Sequence, residues 1–352
     1  MRTTRHNYLI SCVVFFLAVA FAIADNGPQH QAVQTRPIQL GTSGGNINDI
    51  SRLFCCSGTL GSLVQAGTTQ YILSNNHVLA KSNQGAAGDP IIQPGLADLS
   101  CVQNVSLAVA NLTMFVPISF KRNTTNTVDA AIAQVIFGDV DPTGSILDIG
   151  PVNSATLDPT VGLAVKKSGR TTGLTAGNIQ SVNVTVDVTY NKQCGIGSQT
   201  ARFVNQFTIG PGGFSAGGDS GSLIVENVPT LPRPVGLLFA GSSSITVANP
   251  INAVLSALGV GFVGSAASLS TPVPGGTVKP ADIVRASDIK SRHEEALFAV
   301  EGVRGTGIGV SGNEVTIEVY VVKATPDHRR TIPSSLEGVP VQIVETGEIV
   351  AY

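Results

Sequence analysis

The chain has 352 residues, of which 43% are hydrophobic and only 12% charged, with a formal net charge of -2. Such a balance excludes a nucleic-acid binder, which needs clustered Lys and Arg against phosphate. The 39 glycines and the lack of Trp, together with abundant Val, Thr and Ser, favour short strands joined by tight turns.

The first predicted element is an export signal over residues 1–24. Arg2 and Arg5 precede an almost wholly apolar run over 8–20, and Ala22-Ile23-Ala24 offers a small-x-small cleavage site before Asp25. An uncleaved anchor is the rival reading, but the run is short for a span and a polar, Gly-rich stretch follows. Residues 25–50 have no periodicity and read as a leader or a surface arm. Cleavage removes Cys12 and leaves Cys55, Cys56, Cys101 and Cys194. In an exported chain these form up to two disulfides with three connectivities. A bridge between the adjacent Cys55 and Cys56 is sterically awkward, so each is expected to take a distant partner.

From 51 to 265 the pattern is strand, turn, strand. Predicted strands cover 59–65, 70–74, 129–136, 162–167, 178–188, 201–209, 222–226 and 235–240, with Gly, Pro or Asn between them. This spacing suggests barrels or sandwiches. A short helix is predicted over 250–258. Residues 266–284, with Thr271-Pro272-Val273-Pro274-Gly275-Gly276, have linker composition. Residues 285–352 change character: an amphipathic helix over 286–300, strands over 303–310 and 314–323, a helical turn and a strand over 339–344. That order describes a small α+β unit and fits a ferredoxin-like topology.

The chemistry starts from the few histidines. His6 falls in the signal, His30 in the irregular stretch, and His293 and His328 in the C-terminal unit; only His77 lies in the strand-rich body. It sits where a strand gives way to the turn Ser74-Asn75-Asn76-His77, a place where a lone His is usually structural. Ser220 lies in the Gly-rich loop Ser215-Ala216-Gly217-Gly218-Asp219-Ser220-Gly221 before an apolar strand. A nucleophilic Ser needs an exposed hydroxyl with backbone N–H groups around it, and glycines let the chain turn that way. An ordinary hairpin turn is the bland alternative. Asp129 opens the apolar stretch Ala130-Ala131-Ile132-Ala133. A carboxylate there is costly to bury unless a donor faces it, which an imidazole would do. Asp148 is the second candidate acid.

The order His, Asp, Ser over a strand-rich chain is that of the trypsin-like peptidases. Cys56-Ser57-Gly58-Thr59-Leu60 through Asn76-His77-Val78-Leu79, Val128-Asp129-Ala130-Ala131-Ile132 and Gly218-Asp219-Ser220-Gly221 resemble the three catalytic blocks of that family. Ser168-Gly169-Arg170-Thr171-Thr172-Gly173 resembles a block of its secreted bacterial-type members. The resemblance covers about 51–265. It implies a mainly β fold of two six-stranded antiparallel barrels, about 51–148 and 149–265, and a serine endopeptidase with protein or peptide substrates. It further implies a His77-Asp129-Ser220 triad, an oxyanion hole from the amides of Gly218 and Ser220, and no metal or organic cofactor. The Arg of the last block implies an Arg170–Asp219 ion pair that orders the oxyanion loop.

Two features depart from the family pattern. Ser222 stands where many members have a second Gly. The stretch expected to line the specificity pocket is Leu238-Phe239-Ala240-Gly241-Ser242, and its floor has Phe214 and Ser215 but no acid, which argues against cleavage after Lys or Arg. The rival functions are an inactive binding module on this scaffold and an esterase using the same triad. No stable membrane insertion is expected after signal cleavage, and no nucleic-acid partner.

Overall fold

A computed structural model describes residues 27–264 and 278–352. The predicted export signal and most of the predicted linker lie outside the described residues. A short helix, α1 (Gly27–Gln31), leads into the first barrel.

The first barrel uses β1 (Thr42–Asn46), β2 (Gly58–Leu60), β3 (Ser62–Ala66), β4 (Thr69–Ser74), the single helical turn α2 (Asn76–Leu79), β5 (Pro90–Ile92) and β6 (Ala108–Phe115). After β7 (Thr125–Asn126), which reaches toward the second barrel, β8 (Ala131–Val135) completes it. β1 pairs with β2 and β5, β3 with β4, β4 with β8, and β8 with β6, which returns to β5. Only Gly61 separates β2 from β3, so they act as one bent strand and the ring closes on six antiparallel strands. A side chain at Gly61 is impossible, because its Cβ would lie 1.9 Å from the Gly221 carbonyl of the second barrel.

The second barrel comprises β9 (Ala164–Lys167), β10 (Thr175–Tyr190), β11 (Gln199–Gly210), β12 (Leu223–Glu226), β13 (Pro234–Gly241) and β14 (Thr246–Pro250). Antiparallel pairing runs β9–β10–β11–β14–β13–β12 and back to β9, again a closed ring of six. α3 (Ile251–Leu258) and β15 (Gly261–Phe262) then return to the first barrel. α3 buries Ile251, Val254 and Leu258 in its core, and β15 pairs with β3. The helix stops at Gly259, whose φ of 66° is the left-handed cap that glycine adopts freely.

Leu60, Ile72, Leu73, Leu79 and Ile91 fill one barrel and Val165, Phe207, Ile209 and Leu238 the other. Each such side chain contributes roughly 1.5–3 kcal/mol when withdrawn from water. The two-barrel reading of the sequence therefore holds. The reading of residues 25–50 as an arm does not extend to 42–46. All of β1 is buried, although its sequence is Thr-Ser-Gly-Gly-Asn. Its polar side chains are satisfied internally: Asn46 Nδ2 donates to the Leu79 carbonyl (2.8 Å) and Asp89 (2.9 Å). Gly44 gives Leu60 its space.

The disulfides are Cys55–Cys101 and Cys56–Cys194. The second ties the first barrel to the β10–β11 connection. With sequence separations of 46 and 138 residues, each contributes about 4–5 kcal/mol in the chain-entropy picture.

The C-terminal unit contains α4 (Pro280–Phe298), β16 (Val303–Ser311), β17 (Glu314–Val321), α5 (Pro326–Thr331), β18 (Ser335–Leu336), β19 (Val339–Glu345) and β20 (Val350–Ala351). α4 starts earlier than expected, with Pro280 at its first turn, where a missing N–H is harmless. Ile289 and Leu297 pack on Ile308, Ile317 and Val319. The ferredoxin-like expectation fails on topology. β17 pairs directly and in parallel with β19, and the other flank of β16 is completed by β10 of the second barrel. The unit thus prolongs a barrel sheet instead of closing one of its own. Beyond β19, β20 leaves it to pair with β13 and β10. No helix among the described residues is long and apolar enough to cross a membrane.

Candidate active site

His77 is presented by α2 as the chain leaves β4. Asn75 stands at the N-cap position of that turn without capping it by its side chain; its Nδ2 donates to the Asp129 carbonyl (2.7 Å), joining the two segments. The imidazole Nδ1 lies 2.6 Å from Asp129 Oδ2. The same carboxylate accepts from the His77 backbone N–H (3.2 Å) and from the Tyr190 hydroxyl (2.8 Å). Asp129 is wholly buried, and its own N–H donates to Asn249 Oδ1 (3.1 Å). Burial by itself would lower the His77 pKa. The charge and hydrogen bond of Asp129 outweigh it, with help from the Tyr352 carbonyl and Asp49, and hold the imidazole above its ordinary value. Asp49 shares this cleft, and burial pushes its carboxyl up to about 6 against the pull of Lys81 and His77.

Ser220 enters from the loop between β11 and β12. Its carbonyl accepts from Thr59 N (2.7 Å), and Gly221 N donates to the Leu238 carbonyl (2.9 Å), which clamps the loop between the barrels. Gly218 has φ of +100°, and a Cβ there would strike Thr171 Oγ1 and Arg170 Nη1 at 2.4 and 2.5 Å. Only glycine suits that turn.

Ser220 Oγ donates to the Phe239 carbonyl (3.1 Å). The same carbonyl accepts from the backbone N–H of Tyr352 (3.3 Å). The Tyr352 carbonyl oxygen in turn lies 2.9 Å from His77 Nε2. Ser220 Oγ and the Tyr352 N–H thus share the Phe239 carbonyl, while the Tyr352 carbonyl contacts the imidazole, so Ser220 and His77 are linked through one backbone unit of the C-terminal segment and not by a direct hydrogen bond. His77 and Asp129 are in direct contact, Ser220 is turned toward the Phe239 carbonyl, and Gly218 lines the adjoining cleft with His77 and Tyr352.

Arg170 and Asp219 are not paired with each other. Arg170 forms a bidentate pair with Asp98, Nε to Oδ2 at 2.7 Å and Nη2 to Oδ1 at 2.6 Å. Asp219, fully buried, is already saturated. Its Oδ1 accepts from the N–H groups of Thr171 (2.8 Å) and Thr172 (3.1 Å), and its Oδ2 from Thr172 Oγ1 (2.7 Å) and Ala216 N (2.9 Å). The cation beside it is Lys167, 3.6 Å away and also fully buried. Burial pushes the Lys167 ammonium down to about 8, against the opposing attraction of Asp219. The expected role of the arginine block is filled by its backbone and threonines, with a lysine three residues earlier. Asp148, the second candidate acid, instead faces His30 at 3.3 Å.

Sequence reasoning missed Tyr190, Asn249, Lys167 and Tyr352. Tyr190 ends one ordinary strand and Asn249 is the penultimate residue of another, and nothing local distinguishes them. The Lys166-Lys167 pair offered a faint signal, since one of two adjacent strand residues must face inward.

Two closed six-stranded barrels with these side chains in the cleft between them define the trypsin-like, or chymotrypsin, fold. The Nal1 C-terminal domain family matches residues 116–249. No curated protein matches the sequence. Among solved structures, a glutamic acid specific serine protease is similar at 21% identity, covering 64% of this chain and 100% of its own, with a TM-score of 0.44. Thermobifida fusca protease A gives 19% identity, 64% and 99% coverage, and a TM-score of 0.43. Cellulomonas bogoriensis chymotrypsin gives 20%, 64%, 98% and 0.41.

Proposed function

We propose that the chain is a secreted serine endopeptidase that hydrolyses peptide bonds through an acyl-enzyme. The observation that supports this reading is the His77–Asp129 contact beside the Gly-rich Ser220 loop, with the Tyr352 backbone lying between the imidazole and the Phe239 carbonyl that Ser220 also uses. In this mechanism Ser220 Oγ attacks a peptide carbonyl while His77 Nε2 takes its proton. Asp129 accepts from Nδ1–H, so that nitrogen stays protonated, Nε2 is free to act as base, and the imidazolium that forms is steadied. The amides of Gly218 and Ser220 hold the oxyanion, where losing one donor costs about 100- to 1000-fold in rate. His77 then protonates the leaving amine, and water releases the acyl group by the reverse route. Both disulfides fit the oxidising compartment that export implies.

A fluorophosphonate probe tests the reading, applied to the full chain and to a Tyr352→Gly variant that clears the space before Ser220. The expected result is labelling at Ser220 that His77→Ala abolishes. A folded Tyr352→Gly chain that never labels leaves a binding module on this scaffold. Turnover of simple esters without peptides leaves an esterase.

A further inference from the structure

We infer that residues 349–352 occupy the acyl half of the cleft as a substrate would, so that the C-terminal unit blocks the enzyme and its tail displays the preferred substrate: an aromatic residue before the cleaved bond and an aliphatic one three residues earlier. This inference rests on the peptidase reading above.

The backbone of the segment adds a strand to the body. Val350 and Ala351 pair antiparallel with Gly241 and Ala240 of β13, and Val350 also pairs with Thr189 of β10. Thr189 N donates to the Ile349 carbonyl (3.0 Å), and Tyr352 N to the Phe239 carbonyl (3.3 Å). Strand addition of this kind gives affinity through main-chain bonds that any peptide can make, and selectivity through the pockets its side chains meet. The Tyr352 carbonyl lies on His77 Nε2, and the cleft continues beyond it, lined by Ser57, Lys81 and Arg170.

Two pockets are filled. The Tyr352 ring packs against the core cluster of the second barrel that includes Phe214 and Leu238. Its hydroxyl donates to the Ser242 carbonyl (3.0 Å). Gly241 creates the depth, since a Cβ there would lie 2.3 Å from the tyrosine oxygen. Apolar walls with a carbonyl at the end suit a phenol or phenyl ring, and the nearby Lys167 and Asp219, already engaged with each other and with the loop, are not free to pair with a carboxylate or guanidinium. Ile349 is fully buried among Ile118, Tyr190, Phe203 and Phe239, whereas Val350 faces outward. The tail emerges from a sheet continuous with the barrel, where Thr346 N and Gly347 N still donate to the Val321 and Val322 carbonyls. A tether of this kind holds it at an effective concentration in the millimolar range.

The experiment compares wild type, Tyr352→Gly and Tyr352→Phe on fluorogenic peptides that differ only in the residue before the cleaved bond: Phe, Tyr, Leu, Ala, Arg or Glu. Tyr352→Gly is expected to gain at least about tenfold in rate over wild type, given a tether in that range. Tyr352→Phe should stay blocked. The opened chain should favour Phe and Tyr over Arg and Glu by about 100-fold, as a site rejects groups it leaves unpaired. The free peptide Gly-Glu-Ile-Val-Ala-Tyr should inhibit Tyr352→Gly competitively, and its Tyr-to-Ala analogue at least about tenfold less well. A Tyr352→Gly chain that labels at Ser220 but prefers Arg or Glu, or is no faster than wild type, overturns this inference and leaves the peptidase intact. A folded chain that neither labels nor cleaves overturns both.

Discussion

Asp129 and Asp219 are both wholly withdrawn from water, yet the molecule handles them in opposite ways. Asp129 is left one strong titratable partner, His77, with Tyr190 and a backbone N–H filling its remaining acceptor sites. Asp219 is surrounded by donors that do not titrate near neutrality, and its one cation, Lys167, stands back at 3.6 Å. In the proposed mechanism the first arrangement answers a change of protonation, while the second holds a loop in place. A buried carboxylate thus marks neither catalysis nor structure until its partners are known.

Replacing Asp129 by Asn breaks the first arrangement. In a Tyr352→Gly background, kcat is expected to fall by about 10⁴-fold, because the amide can favour the wrong imidazole tautomer while leaving the geometry nearly unchanged. Thermal melting monitored by circular dichroism should change little. A loss of only a few-fold in turnover would mean that the His77–Asp129 contact is structural.

The second arrangement is sharpened by pH. Lys167 titrates at about 8 in the folded chain, below its ordinary 10.5. Above pH 8 the unfolded chain therefore binds more protons than the folded one, so stability rises with pH between about 8 and 10.5. The gain is about 3 kcal/mol, read from urea midpoints across that window. Lys167→Met should flatten this slope. A slope that survives the substitution would assign the effect to another group.

The smallest effect is expected at Arg170. Its partner is Asp98 and not the oxyanion loop, so Arg170→Ala in the Tyr352→Gly background should change turnover by less than about threefold. Its cost in stability should be about 1 kcal/mol, as for a well-formed but partly exposed ion pair. A large loss of kcat would show that the loop depends on the Asp98 pair.

The strands of the second barrel were readable because apolar runs such as Leu223–Glu226 end in glycine or proline turns. β1 was not, since a strand made of Thr, Ser, Gly and Asn carries no apolar signal and owes its burial to Leu60, Leu79 and Asp89. The candidate side chains divide in the same way. His77 stood out by elimination among five histidines, and Ser220 by glycines whose backbone freedom a tight loop requires. The partner of Arg170 was misread because Asp98, 72 residues away, has no local feature that separates it from Asp219.

From the order of residues came the barrel architecture, the pool of four cysteines and the three segments that could carry chemistry. Strand periodicity, turn glycines and isolated titratable residues are properties of short stretches, and short stretches are what a sequence displays. Folding decided the disulfide partners, the exchange of Arg170 for Lys167 beside Asp219, the donors around Asp129 and the placement of Tyr352 in the cleft. Each of these depends on side chains brought together from distant elements, where packing and unsatisfied hydrogen-bonding groups select one partner among chemically equivalent ones.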